Sequence, residues 1–172
     1  MSIELDIIPN TTQDICWHEI VLSARALAAD GDSFPNDLQL HDLKSKALIE
    51  GFEPLKCPGY YYCTSEIGST LSLIIEPTVG GEEDRCYLSD VGHRLSPEER
   101  DTVFEKWMSA ARLISIESGG GRPKGELKTA MAMAIAIAQL TSGLVVVKDS
   151  LVHNVEVGIY ASEEILSLPW TS

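Results

Sequence analysis

The sequence predicts an α+β fold, an antiparallel β-meander and a terminal strand pair packed on about four helices, one of them central, buried and rich in Ala, Met and Ile. Three observations lead there. The middle third is rich in aromatic and β-branched residues and is punctuated by Gly68 and Gly80-Gly81, the pattern of short strands joined by turns. Apolar residues at helical spacing flank it on both sides. Strands and helices are segregated rather than strictly alternating, which disfavours a doubly wound parallel sheet. With 172 residues, 44% hydrophobic and 23% charged, the chain falls within the ordinary globular range and predicts one domain, residues 1–172, whose core needs no staples.

Ile3 to Ile8 alternates apolar and acidic residues before Pro9, the period of a half-buried strand, and is expected at or near a sheet edge. From Asp14 to Ala29, Trp17, Ile20, Val21, Ala24, Leu27 and Ala28 recur at helical spacing, with Asp30-Gly31 as a stop. A second helix is expected from a cap at Asn36 or Asp37 through Leu40, Leu43, Ala47 and Leu48, ended by Gly51. Tyr60 to Thr64, Thr70 to Glu76 and Arg85 to Val91 predict the three meander strands.

Ser96-Pro97-Glu98-Glu99 combines a capping serine, a first-turn proline and a capping-box glutamate, so a helix is expected from there through Ile114. Lys128 to Leu140 alternates Ala with Met and Ile, but its length and alanine content favour a buried helix over a strand. Leu144 to Lys148 and Val155 to Tyr160 predict the strand pair, and Ser162 to Leu166 a short last helix. Residues 116–126 are the one linker able to act as a hinge between subdomains.

The formal net charge is −13. Residues 1–40 carry 7 acidic and 1 basic side chain, whereas residues 119–128 carry 3 basic and 1 acidic. An acidic surface repels phosphate backbones, which disfavours general nucleic-acid binding and favours a basic protein partner. No apolar run approaches the roughly 20 residues of a membrane span, and the acidic, alternating Met1 to Pro9 is not the pattern expected of a secretory leader. Cys16, Cys57, Cys63 and Cys86 are few for this length and are expected to be reduced thiols, which places the protein in the cytoplasm.

The basic island Gly119, Gly120, Gly121, Arg122, Lys124 and Lys128 comes closest to a ligand site. A phosphate loop fails there, because Glu126 and Leu127 follow Gly125 where Lys and a hydroxyl residue are required. What remains is an anion seat, since cations near a helix N-terminus oppose the macrodipole and a bound anion relieves them. The ordinary alternative is a solvated loop or hinge.

Glu82, Glu83 and Asp84, placed at a hairpin tip, and Asp90, His93 and Arg94, placed in a strand-to-helix turn, are candidate partner contacts. Each set also has an ordinary reading, as a solvated tip or as turn chemistry. Cys16 and His18 lie two apart on a helix and point away from each other, so a nucleophile at Cys16 needs His93 or His153 from elsewhere in the fold. Cys57, Cys63, Cys86 and His93 lack the paired close spacing of a zinc site. No metal and no cofactor is expected.

Leu88-Ser89-Asp90-Val91-Gly92 following the strand Leu71 to Glu76 resembles an uncharacterised domain family of bacteria and their phages, which implies no activity. Small size, acidity and the lack of a catalytic motif are similar in type to bacterial immunity and phage-inhibitor proteins. The expected function is a non-enzymatic interaction module presenting acidic surface to a basic partner. An anion-binding regulatory domain using Gly119 to Lys128 comes second, and an enzyme third. A homodimer is expected if the Ile3 to Ile8 edge and the apolar tail Leu166 to Trp170 need covering.

Overall fold

A computed structural model describes residues 3–10, 15–28, 34–53, 56–66, 68, 71–78, 80–110, 112–119, 125–149 and 155–170. Strand β1 is Ile3–Ile8, helix α1 Trp17–Leu27, and β2, β3 and β4 are Gln39–Asp42, Gly59–Thr64 and Leu71–Glu76. Helices α2 (Glu82–Val91) and α3 (Pro97–Ser109) follow, then β5 (Leu113–Ser118), α4 (Glu126–Leu140), β6 (Leu144–Val147), β7 (Gly158–Ala161) and α5 (Ser162–Leu166). The seven strands form one antiparallel sheet in the order β2-β3-β4-β5-β1-β6-β7. The protein is thus of the α+β class, with a meander and a terminal strand pair.

One face of the sheet carries the main core. Ile3, Leu5 and Ile7 of β1, Ile114 and Ile116 of β5, and Val145 and Val147 of β6 pack there with Ala130 to Ala138 of α4 and with Trp17, Ile20 and Ala24 of α1. Helix α4 is buried on every side between sheet and α1, which is why its sequence lacks an amphipathic stripe. On the opposite face the α2–α3 hairpin buries Leu88, Val91, Val103 and Trp107 against Ile8, Val146 and Ile159. That hairpin covers only the β1-β6-β7 half of the sheet.

Several elements differ from the sequence reading, each for a local physical reason. Arg85 to Val91 is helical: Glu82, Glu83 and Asp84 occupy the first turn of α2 after Gly81, where carboxylates oppose the positive end of the macrodipole. The Leu88 to Gly92 segment is therefore the end of a helix and not a hairpin. Helix α3 starts as expected, with the Ser96 Oγ accepting from the Glu99 N–H at 3.2 Å, but it stops at Ser109. Ala110 turns to extended backbone (ψ 133°), and the alternating Leu113–Ser118 becomes β5, the fourth and middle strand.

The expected second helix is a strand and a turn. Asp42 Oδ1 accepts the N–H groups of Lys44 (3.1 Å) and Ser45 (2.6 Å) and the Ser45 hydroxyl (2.7 Å), and Lys46 adopts φ 63°. An aspartate that captures the backbone two and three residues on stabilises a turn against a helix. His41 then bridges Leu48, so Ala47 and Ile49 partly cover the outer edge of β2.

Strand β1 lies between β5 and β6, not at an edge. Trp170 is buried in the main core. Both features invoked for a homodimer are therefore covered within one chain. Of the hinge segment, residues 116–118 belong to β5 and 120–124 lie outside the described residues. No described helix is long and apolar enough to cross a membrane.

The tight passage from α4 to β6 makes a first prediction. A Cβ on Gly143 would stand 2.4 Å from the Ile8 carbonyl oxygen and 3.0 Å from Pro9 Cα, and both are backbone atoms that cannot rotate away. Gly143→Ala is expected to cost about 1–3 kcal/mol by overpacking. At roughly 2–4 °C per kcal/mol for a chain of this size, a thermal melt resolves it, and an unchanged melting temperature refutes it.

Candidate functional site

The uncovered half of the sheet face is the best-formed candidate site. Burial along the strands that build it alternates strictly: Tyr61 and Cys63 of β3 and Leu71, Leu73 and Ile75 of β4 are buried, while Tyr62, Ser72 and Ile74 are half-exposed and Tyr60 and Glu76 exposed. Tyr60 is 52% exposed. Period-two alternation sends successive side chains to opposite faces, so the second set lies on one open shelf. Cross-strand register joins the shelf to β5 and β1: Tyr62 pairs with Ser72, Ser72 with Glu117, and Glu117 with Glu4.

At the boundary between the open half and the α2–α3 hairpin lies a polar cluster built around Asp6. Asp6 is 0% exposed, and its carboxylate accepts from the Ser115 hydroxyl (2.6 Å) and the Tyr87 hydroxyl (2.8 Å). It also pairs with the Lys148 ammonium at 2.7 Å. Lys148 bonds Glu4 as well and lies 5.1 Å from the centroid of the Tyr87 ring. Desolvation is the largest influence on Lys148 and opposes its charge, but Asp6 and Glu4 together outweigh it and hold the ammonium above its ordinary value. Burial, then the charge of Asp6 and its hydrogen bond, push the Tyr87 hydroxyl up as well. A buried charge persists only when paired and hydrogen-bonded, and here every partner is present.

The rest of the shelf is aromatic and acidic. The Tyr60 hydroxyl donates to Glu76 at 2.5 Å. His41 stacks on Tyr62 with centroids 5.1 Å apart, and the Lys46 ammonium lies 4.9 Å from the same ring centroid. The chemistry available is recognition: rings, carboxylates and hydroxyls on an open surface.

The residues singled out from sequence fall elsewhere. Gly119 follows β5, Lys128 is half-buried in α4, and Gly120, Gly121, Arg122 and Lys124 lie outside the described residues. At the start of α4 the carboxyl of buried Glu126 accepts from the Ser118 hydroxyl at 2.6 Å, so a carboxyl already occupies that helix's first turn. Glu82, Glu83 and Asp84 open α2, Asp90 lies in its last turn, and His93 and Arg94 lie between two helices rather than between a strand and a helix. Arg94 donates to the Tyr160 hydroxyl (3.1 Å) and pairs with Glu156 (3.3 Å) beside a cleft of about 260 Å³. His93 Nδ1 lies 3.3 Å from the Asp90 carbonyl oxygen.

Cys16 precedes α1 on the main-core face while His93 belongs to the α2–α3 hairpin on the other, so the structure does not bring them together. All four cysteines are free thiols, and burial pushes Cys63 up to about 12. Among the described residues no three His, Cys, Asp or Glu side chains are grouped to hold a metal ion.

Of the shelf residues, Tyr60, Tyr62, Glu117 and Lys148 were not among the sequence candidates, and Glu4 and Asp6 entered only through the acidic charge of residues 1–40. Their signal was the phase of the alternation: Glu4 and Asp6 in β1, and Ser115 and Glu117 in β5, fall on one side of strands whose other side is apolar apart from Ser118. Compared with known protein families, with characterised proteins and with solved structures, the chain matches none.

Proposed function

We propose that this protein is a non-enzymatic interaction module that presents acidic surface to a basic protein partner, in the manner of an immunity-type or inhibitor-type protein. The observation that supports this reading is the unequal cover of the sheet, which leaves Glu4, Glu76 and Glu117 with Tyr60 and Tyr62 on an open face of a chain of net charge −13. Such a face attracts cations over long range and repels phosphate backbones. Four free thiols suit a cytoplasmic setting. The alternative, an anion-binding regulatory domain at Gly119 to Lys128, is weaker because Glu126 already supplies a carboxyl to the α4 terminus.

The expected result is association that weakens steeply with salt, because steering between exposed charges is screened beyond about 8 Å at physiological ionic strength. The measurement is the affinity and on-rate of the purified cognate partner at several salt concentrations. A partner bound equally well in low and high salt would remove the electrostatic reading.

A further inference from the structure

Along β5 the side chains of Leu113, Ser115 and Glu117 share the open side, which places one carboxylate on the middle strand of the seven. Its opposite neighbours are Ser72 on β4 and Glu4 on β1. Side chains directly opposite in an antiparallel sheet stand about 5 Å apart, and like charges there are destabilising. Lys148 is bonded to Glu4 and Asp6. Among the described residues the Glu117 carboxylate makes no hydrogen bond or ion pair. Its carboxyl is held above the usual carboxylate range by partial burial first and by Glu4 second, with Lys148 opposing the shift.

The row continues from Ser72 to Tyr62, whose ring stacks with His41 and lies 4.9 Å from the Lys46 ammonium. The fold therefore places in one row two carboxylates facing each other, one of them unpaired, then a hydroxyl and, two strands from Glu117, an aromatic ring. A guanidinium suits the facing pair better than an ammonium, because its planar fork donates to two carboxylates at once.

We propose that the open half of the sheet is the docking surface for a basic protein segment, and that an arginine side chain of the partner seats between Glu117 and Glu4, with Ser72 and Tyr62 continuing the row across which the segment lies. This rests on the acidic-module reading above and adds the place and the anchor. A second copy of this chain would bring the same carboxylates to the face, and a nucleic acid would bring phosphates; both are electrostatically opposed.

The test uses the full chain and short fluorescent oligo-arginine, oligo-lysine and oligo-glutamate peptides, read by anisotropy at low salt. Oligo-arginine is expected to bind more tightly than oligo-lysine, and oligo-glutamate not at all. Glu117→Gln should weaken oligo-arginine binding about tenfold, and Glu117→Lys about a hundredfold. Glu163→Lys, a charge reversal at an exposed position on α5 at the opposite face, should weaken it less than about threefold. Glu117→Gln is nearly isosteric and removes a like-charge pair, so it should melt no lower than the wild type.

Equal losses from Glu117→Lys and Glu163→Lys would mean diffuse attraction, and would overturn the arginine seat while the acidic-module reading stands. Binding of neither basic peptide would overturn both. Self-association in sedimentation that Glu117→Lys abolishes would assign the face to a second copy and overturn the proposed occupant.

Discussion

Asp6→Ala is expected to lower the free energy of unfolding by about 3–5 kcal/mol, the usual cost of deleting one member of a buried ion pair. The substitution strands three groups at once: the Lys148 ammonium loses its buried counter-charge, and the Tyr87 and Ser115 hydroxyls lose their acceptor. Denaturant unfolding of wild type and variant measures the difference. A loss below about 1 kcal/mol, the range of an exposed pair, would mean that water or a neighbouring carboxylate replaces Asp6.

The sign of the pH dependence follows from Lys148 and Tyr87. Both are raised above their ordinary values, 10.5 and 10.0, so the folded state holds their protons more tightly than the unfolded chain does. The stability they contribute is fully present below those ordinary values and is lost as the pH climbs through the raised folded ones. The gap between wild type and Asp6→Ala is therefore expected to be constant from neutral pH to about pH 9 and to narrow above about pH 10.5. A gap that instead narrowed toward acid alone would assign the stabilisation to other groups.

Trp107→Ala is the second large effect, expected at about 3–5 kcal/mol. Trp107 is 4% exposed and anchors α3 against Ile8, Val146 and Ile159, with the Tyr87 ring 5.7 Å from its own. Its loss loosens the α2–α3 hairpin from the sheet and with it the hydroxyl that Tyr87 offers to Asp6. Hydrogen exchange should show lost protection in residues 82–109 ahead of α4. The indole N–H is buried without a hydrogen-bond partner, so Trp107→Phe removes an unsatisfied donor along with some packing and should cost less than about 1.5 kcal/mol. Equal losses from Ala and Phe would point to a hydrogen bond at the indole instead of packing.

What the sequence revealed was what neighbouring residues decide. The Ser96-Pro97-Glu99 start, the alanine-rich α4 and the strand pair after Gly143 all rest on contacts within a few residues, and each appears in place. Helix α2 was legible in principle from three acids after Gly81, but seven residues of mixed pattern between glycines suit a strand equally well. β5 was hidden because Ala110 to Ile114 continues the apolar spacing of α3, and only the backbone at Ala110 ends it. The location of β1 and the shelf were beyond local reading: Glu4 and Glu117 pair across 113 residues and Ser72 and Glu117 across 45, and nothing in any one segment encodes those pairings.

That central position of β1 has a consequence for how the protein is made. Its hydrogen-bonding partners, β5 and β6, end at Ser118 and Val147, so the sheet cannot close around it until Val147 has been made. At about 5–20 residues per second, Ile3, Leu5, Ile7 and Ile8 wait roughly 6–22 s for β5 and roughly 7–28 s for β6. A short apolar strand in that position is prone to stick to other chains, and charges within such a strand interrupt that pairing. Glu4 and Asp6, the counter-charges of Lys148 in the folded protein, are the charges that would interrupt such pairing of the nascent strand.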